Sequence, residues 1–160
     1  EVNSQVDERY SLEKSTEAAC KFIRESYEKF GSWTLAAVSY NAGKRRIANS
    51  IKNQKVDNFY NLYLNEESSR YIYRILAIKT IYENPNRFGF SLEHKDLYQP
   101  IPYREIQLTT AIEDLVSFAI EQGTTYKMLK TLNPWLVNNK LRNSTHKTYT
   151  IKLAQKENSM

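Results

Sequence analysis

Trp33-Thr34-Leu35-Ala36-Ala37-Val38-Ser39-Tyr40-Asn41-Ala42-Gly43 is a run of small and apolar residues that ends on a polar corner. Ser32 offers an N-cap oxygen before the run and Gly43 a permissive backbone after it, so the spacing predicts a short helix. Apolar residues fall nearly all round that helix, which places it centrally. The corner itself reads two ways. Asn and Gly end helices for conformational reasons alone. They also suit a sugar: Asn41 carries both donor and acceptor, Tyr40 an apolar face with a polar tip, and Gly43 allows close backbone approach.

The neighbours of this run are helical as well. Ala18, Ala19, Phe22, Ile23, Tyr27 and Phe30 recur at helical spacing over residues 15–30, with Ser15 or Thr16 as cap and Gly31 past the end. Cys20 sits at an apolar-face position of that helix and reads as a small buried hydrophobe. A third helix is predicted over residues 44–51, and Asp57-Asn58 opens a short turn through Phe59 and Leu62. The clearest helix covers residues 67–82, where Tyr71, Ile72, Ile75, Leu76, Ile78, Ile81 and Tyr82 form a broad stripe. Asn84-Pro85 stops it, since the residue before proline avoids helical geometry.

Composition then shifts. Residues 91–104, with Pro100 and Pro102, read as a linker. Ile106 and Leu108 alternate with polar residues as in a strand, Thr110-x-x-Glu113 is a capping box for a helix through Leu115, Phe118, Ala119 and Ile120, and Gly123 closes it. A second short helix carries Met128, Leu129 and Leu132 up to Asn133-Pro134. Tyr149, Ile151 and Leu153 alternate as a closing strand. The fold class expected is mostly α, followed by a small βααβ module. The expected division is a helical domain over 1–90, a linker over 91–104, the module over 105–153 and a tail over 154–160.

Charge and composition narrow the function. The formal net charge of +5 favours an acidic partner, yet no nucleic-acid fold motif accompanies Lys44-Arg45-Arg46, so no nucleic-acid partner is expected. No apolar stretch reaches the ~20 residues of a membrane span. One cysteine excludes an intrachain disulfide framework. His94 and His146 stand alone, without metal-ligand spacing, so neither a metal site nor a cofactor is expected. No secretion signal is legible, and the chain opens on Glu1-Val2-Asn3 without an initiator Met, as a processed or truncated product would.

Several motifs in order carry a family resemblance. They are Val6-Asp7-Glu8-Arg9, Lys14-Ser15-Thr16-Glu17-Ala18-Ala19, Phe30-Gly31-Ser32-Trp33, Ser39-Tyr40-Asn41-Ala42-Gly43, Glu67-Ser68-Ser69-Arg70-Tyr71, Glu83-Asn84-Pro85 and Phe88-Gly89-Phe90. Residues 6–90 thereby resemble the C-terminal part of the lysozyme-like helical domain of goose-lysozyme-like lytic transglycosylases, most closely the membrane-bound D type. Tyr73 stands where that family commonly has proline, a departure expected to touch only the helix start. Residues 105–153 resemble a LysM module through Asp114-Leu115, Phe118-Ala119, Gly123-Thr124-Thr125, Leu132-Asn133-Pro134 and Tyr149-Thr150-Ile151. The loops from which such modules contact sugars depart from the pattern, at Leu108-Thr109-Thr110 and Ser144-Thr145-His146, so the copy is degenerate.

The resemblance implies a parent that cleaves the bond between N-acetylmuramic acid and N-acetylglucosamine to give the 1,6-anhydro sugar. It implies Tyr40, Asn41, Ala42, Gly43 and Tyr71 as substrate-binding residues and peptidoglycan glycan strands as partner. It also implies the periplasm or cell envelope of a Gram-negative bacterium, with the parent an outer-membrane lipoprotein. The general acid of the family is the glutamate of a Glu-Ser motif, followed by Gly-Leu-Met/Trp-Gln, both upstream of Val6. Neither motif is in this sequence, and Glu66-Glu67 and Asp7-Glu8 are poor substitutes. The chain is therefore expected to hold no catalytic residue and to be inactive alone; the alternative is a non-catalytic peptidoglycan-binding or scaffolding protein. Missing neighbours would also leave apolar faces uncovered, including part of residues 33–38, and lead to self-association or to repacking of the helices.

Overall fold

The computed structural model describes residues 1–155. The chain forms two compact units, one of Glu17–Tyr98 and one of Glu1–Thr16 with Gln99–Met160. The helices are α1 (Leu12–Phe30), α2 (Trp33–Ala42), α3 (Lys44–Gln54), α4 (Glu66–Glu83), α5 (Leu115–Glu121) and α6 (Tyr126–Leu132). Two strands, β1 (Tyr103–Leu108) and β2 (Tyr149–Ala154), pair antiparallel with Ile106 opposite Ile151. The mostly-α architecture with a small βααβ module is as the periodicities predict. The last residues of the expected tail, 156–160, lie outside the described residues.

Glu17–Tyr98 is built on α2. Ser32 caps it by accepting from the Leu35 amide, and Leu35, Ala36, Val38 and Ser39 are buried. Leu35 and Val38 join Ile47 of α3, Ile72 of α4, and Phe59, Leu62 and Leu64 of the connection in one apolar cluster. A 3-10 turn at Phe59–Asn61, capped by the Asn58 side chain, feeds Phe59 into it. Trp33 at the start of α2 stays 60% exposed and stacks on Tyr27 at 4.1 Å.

Several expectations are corrected here. Helix α1 starts at Leu12, three residues early, because Ser11 rather than Ser15 or Thr16 accepts the Lys14 amide. Cys20 is exposed. The buried side of α1 runs through Ala19, Phe22, Ile23 and Ser26, and Cys20 lies off that stripe. Helix α4 is continuous through Tyr73, its eighth residue, so the departure there touches the helix interior and not its start. The apolar stripe of α4 is also mostly uncovered: only Ser68 and Ile72 are buried, while Ile75, Leu76, Ile78 and Tyr82 are 40–84% exposed. Periodicity predicts a helix with one apolar side; it does not supply a partner for that side. Conversely Leu35, Ala36 and Val38 of α2 are covered, leaving Trp33 as the exposed part of residues 33–38.

The other unit packs α5 and α6 on one face of the β1–β2 ladder. Tyr149, Ile151 and Leu153 alternate inward to meet Leu115, Ala119 and Leu129. The ladder starts at Tyr103, two residues before the expected start of the module. The Thr110–Glu113 box does not cap α5. Ile112 is held extended by a two-way backbone bridge to Leu141, 2.8 Å in each direction, so the helix cannot begin until Asp114. The Asp114 carboxylate caps it instead, accepting from the Val116 and Ser117 amides.

Glu1–Thr16 packs into this same core. The Val6 side chain is buried among Leu136, Leu141 and Ile151. Backbone bonds run from the Asp7 amide to Trp135 (2.8 Å) and from the Val137 amide to Gln5 (2.9 Å). Four acidic groups of this segment are ion-paired: Asp7 with Arg9, Glu8 with Lys14, Glu1 with Lys147 and Glu13 with Lys152. The Lys14 ammonium, followed by the terminal ammonium, holds Glu8 down to about 2 from its ordinary 4.5. Glu1, beside Lys147, and Glu13, beside Lys152, are also lowered. A lowered carboxyl stabilises the fold fully above its ordinary pKa and ceases to as pH falls through the folded value. The thermal midpoint of this unit should therefore drop as pH goes from 4.5 to about 2. Trp135 fluorescence in a Trp33→Phe background reads that midpoint, and one that does not move would mean these pairs contribute nothing.

Candidate functional site

The residues expected to line a ligand surface gather where α2 meets α4. Gly43 ends α2 with φ +88° and ψ 136°, its amide donating to Ser39 at 2.8 Å. A Cβ at Gly43 would meet nothing within 4 Å, so glycine is required here by backbone conformation and not by crowding. The turn projects Tyr40 (49% exposed) and Asn41 outward. Ala42 faces inward, half-buried against the apolar cluster.

Tyr40 is held from behind. Its ring meets Phe22 of α1 edge-on, with centroids 5.6 Å apart at 78°. Lys44 places its ammonium 4.3 Å from the Phe22 ring centre and pairs with Glu25 at 2.6 Å. That pair holds Glu25 below the usual carboxylate range. The aromatic edge and the cation–π contact fix one side of the corner, each at about 0.5–1.5 kcal/mol.

Asn41 is held from the other side. Ser68, buried in the first turn of α4, donates its hydroxyl to Asn41 Oδ1 at 3.0 Å. The sequence pattern gave no sign of this contact, because a serine near a helix start ordinarily reads as a cap. Tyr71 follows Ser68 by three residues, hence on the same face of α4, and is half-buried against the cluster that includes Ala42. The structure thus places Tyr40 and Asn41 at the surface, and Ala42 and Tyr71 as their partly buried support.

The carboxylates considered as acids are elsewhere. Glu66 and Glu67 are exposed and ion-paired with Arg70 and Arg74. Asp7 caps the turn at Glu8–Tyr10 and, through the Arg9 guanidinium, lies below its ordinary value. A general acid needs the opposite shift.

The βααβ unit carries its own groove, of about 610 Å³, beside β2. Tyr103, Pro134, Trp135, Tyr149, Thr150 and Lys152 are among its lining residues. Trp135 stacks nearly parallel on Tyr149 (5.6 Å, 17°), and Lys152 lies over the Tyr103 ring. The two loops that depart from the LysM pattern are tied together by buried Asn143, which donates to Thr109 and Lys147 carbonyls and accepts from the Lys147 amide. Another buried amide, Asn133, donates to Leu129 and Lys152 carbonyls and accepts from the Lys152 amide. It thereby splints the free edge of β2, a role hidden by the helix-stopping look of Asn133-Pro134.

Residues 1–63 match the Transglycosylase SLT domain, and residues 104–157 match the Soluble lytic transglycosylase C-terminal LysM-like domain. Two separate stretches of the chain thus each match a lytic transglycosylase domain. Over 132 residues the chain is 29% identical to the membrane-bound lytic murein transglycosylase D of Escherichia coli K12, and equally to that of Escherichia coli O6:H1. The alignment takes in 79% of the chain and 28% of each relative, so the chain spans under a third of their length. The SLT match takes in Tyr40–Gly43 but stops before Ser68 and Tyr71. It begins at residue 1, although in the structure Glu1–Thr16 packs with the LysM-like module. Among the described residues no helix is long and apolar enough to cross a membrane.

Proposed function

We propose that this chain supplies one wall of a peptidoglycan-binding groove in a lytic transglycosylase of the bacterial envelope, with Tyr40, Asn41, Ala42, Gly43 and Tyr71 as the wall. The observation that carries this reading is the corner itself. An exposed tyrosine and an exposed amide, each anchored from behind by buried or packed groups, stand side by side on a glycine turn. Such a pair offers a flat apolar face and directed hydrogen bonds, the two things a sugar ring presents surfaces for. The functional division is that of the sequence, a helical part to residue 90, a linker over 91–104 and the module over 105–153. The groove beside β2 gives the module a second contact with the same strands. The parent acts in the periplasm or envelope of a Gram-negative bacterium.

The chain alone binds without cleaving. Each carboxylate with a resolved shift among the described residues lies below its ordinary value, with an ion pair or, for Asp114, the Ser117 hydroxyl and two amide donors as cause. Co-sedimentation with purified sacculi tests the binding. The double variant Tyr40→Ala, Asn41→Ala should bind about tenfold more weakly, two lost contacts of about 0.5–1 kcal/mol each. Binding equal to that of the unaltered chain would refute the corner as the wall. Muropeptide profiles of the same incubations should contain no new 1,6-anhydro products, and their appearance would refute the binding-only reading.

The exposed stripe of α4 associates with a second copy of the chain. Ile75, Leu76, Ile78 and Tyr82 all lie exposed on one helix, and clustered exposed apolar side chains are what mark an interaction surface. Sedimentation velocity should show a concentration-dependent dimer, abolished by Ile78→Lys. A single monomeric species at every concentration would dismiss it.

A further inference from the structure

We propose that α3 and the turn after it form a cationic, aromatic face that rests on the surface of an anionic phospholipid bilayer. None of the five wall residues takes part, and only the bacterial-envelope setting rests on the reading above. Residues 44–61 hold five cations and one carboxylate, Asp57, so most of the chain's net charge of +5 is gathered here. Ile47 is buried and Ile51 packs partly against the same apolar cluster, which turns the opposite side of α3 to water. Arg45 and Lys52, seven residues apart, share that exposed side with Asn49 between them, and Arg46 is exposed beside Arg45. Lys44 is paired with Glu25. Arg45, Arg46, Lys52 and Lys55 are in no ion pair among the described residues.

Two features of this face work against the stability of its own unit. Arg45 and Arg46 occupy the first turn of α3, the positive end of its dipole, where a cation is disfavoured. Lys55 follows the last turn in the left-handed region, at φ 55° and ψ 43°, a conformation that favours glycine. Glycine does fill that place after α1, at Gly31, and after the 3-10 turn at Pro85–Phe88, at Gly89. An anion from outside the unit accounts for cations kept at such positions, and the groups beside them suit a lipid. Lys52, Lys55 and Asn61 line a hollow of about 470 Å³ whose apolar lining is Ile51 and Val56. Asp57 lines it too, accepting from the Asn58 side-chain amide at 3.1 Å. Tyr60 and Tyr63 are 68% and 88% exposed on anchored backbone. Asn58 caps the turn that carries Tyr60. Gln54, the last residue of α3, clamps Tyr63 by donating to its carbonyl at 2.9 Å and accepting from its amide at 2.7 Å. Exposed tyrosines favour the headgroup level of a bilayer, where the ring is sheltered and the hydroxyl stays wet. Each lysine or arginine near an anionic surface adds about fivefold in affinity.

The test is co-sedimentation of the full chain with vesicles of phosphatidylglycerol and phosphatidylcholine, against phosphatidylcholine alone. The unaltered chain should bind the anionic vesicles only, and should leave them at high salt as the surface charge is screened. Lys52→Gln with Lys55→Gln should bind roughly twentyfold more weakly, at about fivefold per cation. Removing the same charge from the other unit, as Lys127→Gln with Arg142→Gln, should leave binding within about twofold. Tyr60→Ser with Tyr63→Ser should weaken binding without changing its salt dependence. Lys55→Gly separates docking from folding: it should raise the thermal midpoint by relieving the left-handed backbone, yet weaken vesicle binding about fivefold. Equal binding to both vesicle types, an equal loss in the Lys127, Arg142 variant, or undiminished binding by Lys55→Gly overturns the proposal. Failure to bind either vesicle also overturns it, and a single-stranded oligonucleotide bound instead would identify the competing partner of cations and tyrosines. Sacculus binding, which tests the groove, is read separately and is unaffected by each of these outcomes.

Discussion

Replacing Asn133 by Ala should destabilise the unit of Glu1–Thr16 and Gln99–Met160 by about 2–5 kcal/mol, because removing one partner leaves each buried polar group uncompensated. Asn133 is fully buried and makes three bonds, to the Leu129 carbonyl (2.9 Å), the Lys152 carbonyl (2.6 Å) and the Lys152 amide (2.9 Å). The last two are the edge groups of β2, which among the described residues has no third strand beside it. A unit of this size has only about 4–12 kcal/mol of stability in all, so a large share depends on one amide. Asn133→Asp should be worse than Asn133→Ala at neutral pH. The carboxylate has no donor for the two carbonyls and would sit as an uncompensated charge among them. Urea denaturation followed by Trp135 fluorescence, again in Trp33→Phe, measures both. A loss under about 1 kcal/mol for Asn133→Ala would mean that water replaces the splint without penalty.

The second large effect concerns α4. Ile72 and Ser68 are its buried residues, with Tyr71 partly buried against the same cluster, so Ile72 is the main apolar anchor of an 18-residue helix. Truncation to Ala should cost about 2–5 kcal/mol, the usual range for a buried isoleucine. The loss should be local: amide exchange over α4 should quicken while α2 and α3 keep their protection, since their own seam rests on Leu35, Val38 and Ile47. The Ser68–Asn41 bond should go with it, so the binding proposed for the corner should fall although Tyr40 and Asn41 are unaltered. Ile78→Ala, one turn and a half further on and 60% exposed, should change stability by no more than about 0.5 kcal/mol. If Ile72→Ala left α4 protected, the helix would have to be held by something other than this side chain.

What was legible in the sequence follows from local rules. Gly31 with Ser32, Asn58 and Asn84-Pro85 punctuate the helices where capping chemistry says they should. The alternation of Tyr149, Ile151 and Leu153 marks a half-buried strand. What stayed hidden depends on partners far away in the chain. The Thr110–Glu113 box is overruled by the Ile112–Leu141 bridge. The apolar stripe of α4 is visible as a period, yet its exposure is settled by which neighbours exist. Tyr40–Gly43 announced itself as a corner, but the serine behind Asn41 comes from 27 positions downstream and has no pattern of its own.

The bridge between Val6 and Leu136 has a kinetic consequence. Its unit closes through partners as much as 148 positions apart, as in the bond between Tyr149 and Glu1, while Glu17–Tyr98 is contiguous along the chain. Loop closure of that length must precede any gain from the contacts it makes, so such topologies assemble slowly. During synthesis, Glu17–Tyr98 can complete itself before β2 has been translated. The α2–α4 corner is therefore made early, and the segment around Val6 must wait for its berth.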